Sequence, residues 1–523
     1  MAKTHDDVFL SSSASDRLNL YKTILELRAS QVSVGERLAA QRKGETLVKE
    51  VNLRAVAATT ERNYGSIYNI YNDLLLVLGD IAGDPHADLA TLFAIPVATV
   101  RLYMIKQTDA WHFLQAVLSG EFANFEEFAA SMHLSRLTVL RHLKPLKNLA
   151  EHFGIQMHPE ALKFSGSERQ IRLFMMTVIW KATAGAEWPF ADLSESSAAR
   201  LMDTLYLTLD SQPTNPVARQ LAMYYLAIAY RRVLEGHVLT YDRNQAVLDY
   251  PLPSLDLALG HGRFADFQLP PMTRNQLMGE TEFGFFLLHF EPVFMVGSDP
   301  QLPIVVERFR RYAPGIYRLV TSFVAAFSEW LPHQDDGQEN VLIADLLAVT
   351  SSVVALGTDF NALVAYAFNR NLQQRQEDPQ YLRAIRQTLT QVMLSKHLEN
   401  FIELIDPLAE NYYRNLIQLR GVFHPREPLK VALVVEQTIL EYVDLMAMIS
   451  QQPFVELLPN QCDLVHADLV IKSSALPLDL PKDVTQYTWE PGASPDRFGE
   501  LYAVLVSLWW GKSASIESSR RRA

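Results

Sequence analysis

From about Asp16 the chain places apolar residues at spacings of three and four, as in RLNLYKTILELRASQVSVGERLAAQR, and that period predicts helix. A second helical group is expected from about Leu47 to Leu78, and the alternating ATVRLYMIK at 98–106 reads as a short extended piece. From about Ser167 to Arg420 the pattern is almost wholly helical, broken by proline-rich stretches near 211–216, 251–273 and 291–303. After Pro425 it changes. KVALVV at 430–435, FVELL at 454–458, ADLVIKSS at 467–474 and VTQYTW at 484–489 read as strands, with helices expected from about Ile439 to Ser450 and from about Pro495 to Trp510. Continuous apolar strands alternating with helices predict a small parallel α/β sheet. The closing KSASIESSRRRA is expected to be a solvated tail.

The most informative stretch runs from Asn124 to Glu168 and has helix-turn-helix spacing. Phe125, Phe128, Ala129 and Met132 give the first helix one apolar face, and His133 and Leu134 make the turn, with histidine where glycine is usual. Ser135 then caps a second helix with Val139, Leu140 and Leu143 inward and Arg136, Thr138, Arg141 and His142 outward. Guanidinium groups and short hydroxyls suit base edges and phosphates in a major groove. IQMH and ALKF, separated by Pro159 and Glu160, alternate like the two strands of a wing. The competing reading is a solvated basic helix with a hydrophobic underside. A second helix-turn-helix candidate spans residues 48–81: Leu53, Val56 and Ala57 would pack its first helix, and Tyr64, Gly65, Ser66, Tyr68 and Asn69 would lie near the exposed start of its second. A plain helical hairpin explains that stretch equally well.

Length and composition bound these readings. At 523 residues the chain is long enough for about three or four domains, and 49% hydrophobic with 20% charged residues is ordinary globular composition. A single cysteine, Cys462, excludes a disulfide framework or a multi-cysteine metal site and fits a reducing cytoplasm. The amino terminus has no apolar signal-peptide core, and the run LLAVTSSVVALGT, 13 residues long, is shorter than a bilayer span, so a cytoplasmic protein without membrane partners is expected. The net charge of −12 argues against nonspecific coating of nucleic acid, but residues 1–165 hold 17 basic against 18 acidic residues, so nearly all of the deficit lies beyond them. Ser135 to Lys147 is a local basic patch without an acid. No nucleophile elbow, Walker loop, HExxH or dinucleotide glycine fingerprint is present, so small-molecule catalysis has no support and neither an enzyme nor a cofactor is expected.

LSRLTVLRHLKPLKNLAEHFGIQM, followed by FSGSERQIRLFMM and then GAEWPF at 185–190, resembles the Mga/AtxA-type regulators of Gram-positive bacteria. The chain order is that of the family: recognition helix, wing, a Gly-x-Glu-x-x-Ile-Arg motif and a Trp-Pro-Phe loop. The resemblance implies a mainly α multidomain protein with two winged or helix-turn-helix units, two helical phosphotransferase-system regulation domains, and a small parallel α/β domain similar to enzyme IIB. Laid on this sequence, the divisions are 1–110 with the first helix-turn-helix, 111–166 with the winged one, 167–285 and 286–425 for the regulation domains, 426–512 for the enzyme IIB-like domain and 513–523 for the tail.

The function so implied is a sequence-specific DNA-binding transcriptional regulator, dimeric, whose partners are double-stranded promoter DNA and a phosphocarrier protein of the sugar-phosphotransferase system. DNA contacts are expected from Ser135, Arg136, Thr138, Arg141, His142, Lys144 and Lys147, and from Tyr64, Ser66 and Tyr68 upstream. Histidine phosphorylation in the family points to His237, with Arg231 and Arg232 expected to hold the phosphate, and to His397 beside Lys396. A lone histidine near a helix end is more often just a cap or surface residue, and each of these is open to that reading. Enzyme IIB domains transfer phosphate through a cysteine after their first strand; here Glu436, Gln437 and Thr438 occupy that loop, which argues against a phosphoryl carrier. An RNA-binding antiterminator is the other alternative, but such proteins begin with a β-rich module, whereas this chain begins with helices.

Overall fold

The computed structural model describes residues 8–208, 216–242, 269–290, 297–331, 336–357, 378–423, 428–435, 439–459, 464–473, 478, 480–481, 484–489 and 495–520. They gather into two compact units, Met1–Leu25 with Val48–Leu416, and Glu26–Leu47 with Ile417–Ala523. The opening helix α1 (Ser12–Ser30) starts in the first unit and ends in the second, to which α2 (Val34–Lys43) also belongs. Grouping residues 26–47 with the carboxy-terminal part was not legible in the sequence.

In the first unit, α1 buries Leu18, Tyr21 and Ile24. The Tyr21 hydroxyl donates to the Ile95 carbonyl at 2.5 Å, and its ring stacks on Phe93. Helices α3 (Leu53–Thr59), α4 (Tyr64–Ala82), α5 (Leu89–Phe93) and α6 (Val97–Lys106) follow. The last of these corrects the extended piece expected at 98–106. Pro96 starts a helix whose Val100, Leu102, Met104 and Ile105 are all buried, because α6 packs between α4 and the later α10. Two-sided burial removes the polar stripe by which a helix is told from a strand. Helices α7 (Asp109–Ser119), α8 (Phe125–Ser131) and α9 (Arg136–His152) lead to a hairpin of β1 (Gln156–His158) and β2 (Lys163–Ser165), antiparallel with Met157 opposite Phe164.

Next come α10 (Glu168–Thr183), buried along nearly its whole length, with α11 (Glu195–Thr208), α12 (Pro216–Leu234) and α13 (Arg274–Phe290). Trp188 and Phe190 of the Trp-Pro-Phe loop pack edge-on against Tyr224, and the Trp188 indole donates to the Leu193 carbonyl at 2.7 Å. A further helical group comprises α14 (Leu302–Tyr312), α15 (Pro314–Ala326), α16 (Asp336–Leu356), α17 (Pro379–Ser395) and α18 (Ile405–Phe423). Among the described residues, Gly337–Leu356 of α16 is the one helix long and apolar enough to cross a membrane. Two thirds of that stretch is buried, and it packs against α13, α14 and α15, which is how a core helix behaves.

The second unit holds a four-stranded, all-parallel sheet of β3 (Leu429–Val434), β4 (Val455–Leu457), β5 (Leu469–Lys472) and β6 (Thr485–Thr488) in the order β4-β3-β5-β6. Helix α19 (Ile439–Ser450) follows β3, and α20 (Pro495–Arg520) closes the chain. Tyr442, Leu445 and Ile449 of α19 and Leu501 and Leu505 of α20 share one core with Leu429, Val431, Leu469 and Ile471 of the sheet. Ser33 and Glu36 form a reciprocal cap on α2, and the Val34 N–H donates to Asp496 Oδ1 at 2.8 Å at the start of α20. The tail corrects another expectation: helix continues through Arg520, since SASIESSR contains no glycine or proline to end it. Cys462 and the loop residues Glu436, Gln437 and Thr438 lie outside the described residues.

Candidate nucleic-acid interface

Helices α7, α8 and α9 are held by an aromatic cluster centred on Phe113, whose ring meets Phe128 and Phe164 edge-on at 6.1 Å each. Phe164 in turn meets Phe174 of α10, which ties the hairpin to the next helix. Between α8 and α9, His133 takes the left-handed conformation with φ 54°, and its N–H donates to the Ala130 carbonyl. A β-carbon is disfavoured there, so a position where glycine is usual is filled by a residue under mild strain. Asn124 caps α8 and Ser135 caps α9, the Ser135 Oγ accepting from the Thr138 N–H at 3.2 Å.

On α9, Val139, Leu143, Leu146, Leu149 and Ala150 are buried, whereas Leu140, expected inward, is half-buried. The polar residues then divide by what they touch. Arg141 and Lys144 are exposed and make no ion pair among the described residues. Lys147 is exposed and 3.7 Å from Glu151 one turn on. Ser135 and Thr138 spend their hydroxyls on each other at 2.8 Å, beside the cap bond.

Arg136 and His142 differ from the expectation that their side chains face the groove unencumbered. The Arg136 guanidinium donates to Glu126 Oε1 of α8 and to Glu160 Oε1 of the hairpin turn, each at 2.6 Å, and lies over the Phe125 ring. The hydrogen bonds it donates to Glu160 and then to Glu126 raise its pKa. Arg136 therefore ties α9 to both its neighbours. His142 Nδ1 lies 2.6 Å from Oδ2 of the buried Asp109, the first residue of α7, and fixes α9 against that helix. The pairing of Asp109, Glu126 and Glu160 with these bases is not legible in the sequence, because nothing in local spacing shows which acid meets which base.

At about 100° per residue, Leu137, Arg141, Lys144 and Asn148 share one stripe directly opposite the buried face of α9, with Arg136 and His142 on its flanks. A helical wheel of the sequence contains this signal, and it names Leu137 rather than Arg136. Pro145 lies within the helix, at the edge of the same exposed surface.

The upstream unit repeats this backbone at an offset of 72 residues: Asn52 and Asn124 cap the short helices α3 and α8, and Glu61 (φ 53°) takes the place of His133. The Arg62 N–H donates to the Ala57 carbonyl as the Leu134 N–H donates to that of Ala129, and Asn63 and Ser135 cap α4 and α9. The chemistry is not repeated, since α4 carries no base and holds Asp73 and Asp80. Tyr64 and Tyr68 are exposed and stacked at 6.3 Å, and Ser66 is half-buried with its N–H on the Asn63 cap. Gly65, Asn69 and Asn72 occupy the positions corresponding to Leu137, Arg141 and Lys144, and all three are exposed.

His237 and His397 both lie exposed in the turn just past a long helix, α12 and α17 respectively. His397 has φ 55°, and its Nδ1 is 3.8 Å from Glu399. The arginines expected to hold a phosphate at His237 are otherwise engaged. Arg232 is buried and pairs with Glu168 at 2.7 Å and Glu235 at 3.3 Å, while Arg231 pairs with Glu235 at 3.1 Å and Asp192 at 3.4 Å. Arg172, the arginine of the Gly-x-Glu-x-x-Ile-Arg motif, is fully buried. It donates to both oxygens of Glu280, at 2.6 and 2.8 Å, to Glu168 at 2.9 Å and to the His237 carbonyl at 2.8 Å. Arg169 pairs with Glu282 at 2.9 Å alongside. Burial pushes the neighbouring Tyr225 phenol up. What the sequence offered as an anion site is a charge network that fastens α10 to α12 and α13.

Residues 95–178 match the Mga helix-turn-helix domain, a span that starts at α6 and ends within α10. The chain is also 21% identical over 354 residues to the capsule synthesis positive regulator AcpB of Bacillus anthracis. That alignment covers 66% of this chain and 66% of AcpB. The chain is thus similar to the Mga helix-turn-helix domain over residues 95–178 and, over 66% of its length, to a capsule synthesis positive regulator.

Proposed function

We propose that the chain is a sequence-specific DNA-binding transcriptional regulator in which α7, α8, α9 and the β1–β2 hairpin form a winged helix-turn-helix. The observation that carries this reading is the outer face of α9: Arg141 and Lys144 stand exposed and, among the described residues, without carboxylate partners, opposite the buried stripe, inside the segment that matches an Mga helix-turn-helix. Arg141 would contact a guanine edge or phosphate and Lys144 and Lys147 phosphate. Arg136, His142 and the Ser135–Thr138 cap hold the helix in register for them. Tyr64, Ser66 and Tyr68 would add contacts from the upstream unit.

The finer reading extends to the other parts. The bundles at 167–285 and 286–425 would act as phosphotransferase-system regulation domains, with His237 and His397 as the phosphorylated side chains; their support is exposure and a shared place after a long helix. The parallel sheet at 426–512 would serve as an enzyme IIB-like contact domain in a homodimer. A phosphocarrier protein would be the donor, and the site of action the cytoplasm.

The deciding experiment is a salt titration of the full chain on its own upstream promoter duplex and on a scrambled duplex, for wild type and an Arg141→Ala/Lys144→Ala variant. Each lost phosphate contact lowers the salt slope by roughly 0.9, so the variant is expected to bind more weakly, with a slope shallower by up to about 2. Unchanged affinity and slope in the variant would refute the assignment of this face.

A further inference from the structure

Leu137 is 79% exposed, more than any other large apolar side chain among the described residues. It lies at the second position of α9, and the buried residues of that helix all face the opposite way. The exposure follows from its place on the helix rather than from a packing defect, because Val139, Leu143 and Leu146 are buried as an amphipathic helix requires. Its neighbours on the stripe are Arg141 one turn on, then Lys144 and Asn148, all exposed. An apolar tip at the leading edge of a basic surface is complementary to one feature of duplex DNA, the thymine 5-methyl group in the major groove, flanked by phosphates that the bases engage.

We propose that Leu137 reads a thymine methyl, and that it adds a sequence preference to the contacts that Arg141 and Lys144 make. This rests on the DNA-reading function proposed above. Four residues of helix advance about 6 Å, close to two base steps of roughly 3.4 Å, so the thymine lies one or two steps from the base that Arg141 meets. Leu137 is 79% exposed on the side of α9 opposite the buried stripe, so its replacement leaves the fold unaltered.

The test uses the full-length chain and a duplex that it enriches from a random-sequence pool, remade with deoxyuridine in place of thymidine, which removes only the 5-methyl groups. Wild type is expected to bind the thymine duplex roughly fourfold tighter for each methyl contacted, the worth of one buried methyl. Leu137→Ala is expected to bind both duplexes alike, with the wild-type salt slope. Equal binding of the two duplexes by wild type, or a thymine preference that survives in Leu137→Ala, overturns the assignment and leaves the DNA-reading function standing. Enrichment of no duplex refutes that function, and this assignment with it.

Discussion

Replacing Arg172 with methionine removes the centre of the buried charge network while nearly preserving its volume. Arg172 is fully buried and bonds both oxygens of Glu280, Glu168 and the His237 carbonyl. Without it, Glu168 keeps Arg232, but the Glu280 carboxylate, itself 9% exposed, retains the Leu239 N–H as its donor among the described residues. A buried carboxylate stripped of its cation destabilises by about 3–5 kcal/mol, a large share of a domain's usual margin of about 5–15 kcal/mol. In Arg172→Met/Glu280→Leu no charge is stranded. The losses are then the Arg172 donors to the His237 carbonyl and to the buried Tyr225 hydroxyl and the acceptor for the Leu239 N–H, about 1–3 kcal/mol per unsatisfied group. Urea unfolding of the full chain, followed by near-ultraviolet circular dichroism, should show the single variant well below wild type and the double variant above the single. A loss under about 1 kcal/mol in Arg172→Met, or a double variant no better than it, would refute the account of the network.

Two further outcomes follow from local geometry. Gly279 lies in α13 where a β-carbon would stand 2.6–2.7 Å from the backbone of Leu239, Thr240 and Tyr241, so Gly279→Ala should destabilise by about 1–3 kcal/mol and free the 239–241 segment to amide exchange. Exchange unchanged from wild type would show that the segment does not rest on that helix. Burial pushes the Tyr21 phenol up to about 12. Its protonated form is thus favoured by folding, and the stability it adds is complete below about pH 10 and lost as pH rises toward 12. Tyr21→Phe should give up the hydrogen bond to Ile95 and lose less stability than wild type between pH 10 and 12, read as thermal midpoint against pH; parallel curves would contradict it.

Much of the architecture is written in local pattern. The Ser135 cap, the apolar face of α8, the β1–β2 hairpin and each of the four parallel strands fall within a residue or two of where alternation and helical spacing put them. The failures share a cause. At α6, burial on two sides erased the polar stripe, and the tail beyond Trp510 looked polar enough to be loose although nothing in it ends a helix. In the site, the residue types were legible but their partners were not. Arg136 meets Glu126 10 positions away and Glu160 24 away, His142 meets Asp109 33 away, and Arg232 meets Glu168 64 away, so only the folded chain shows which bases are already engaged. The 72-residue repetition of the helix-turn-helix backbone is masked in the sequence because caps and turn recur while the outward side chains change from Leu, Arg and Lys to Gly, Asn and Asn.

Pro145 has no N–H to offer the carbonyl of Arg141, four residues before it, and its ring crowds that carbonyl. The backbone ladder of α9 is therefore weakest between the turn that carries Leu137 and Arg141 and the turn that carries Lys147 and Glu151. Each half has its own anchor: Arg136 and His142 fasten the leading half to the hairpin turn and α7, and Leu146, Leu149 and Ala150 seat the trailing half in the core. Such a helix behaves as two short rods with a soft joint. Strain on α9 is then taken up by flexing at Pro145, with the leading rod keeping its orientation to α7 and the hairpin turn.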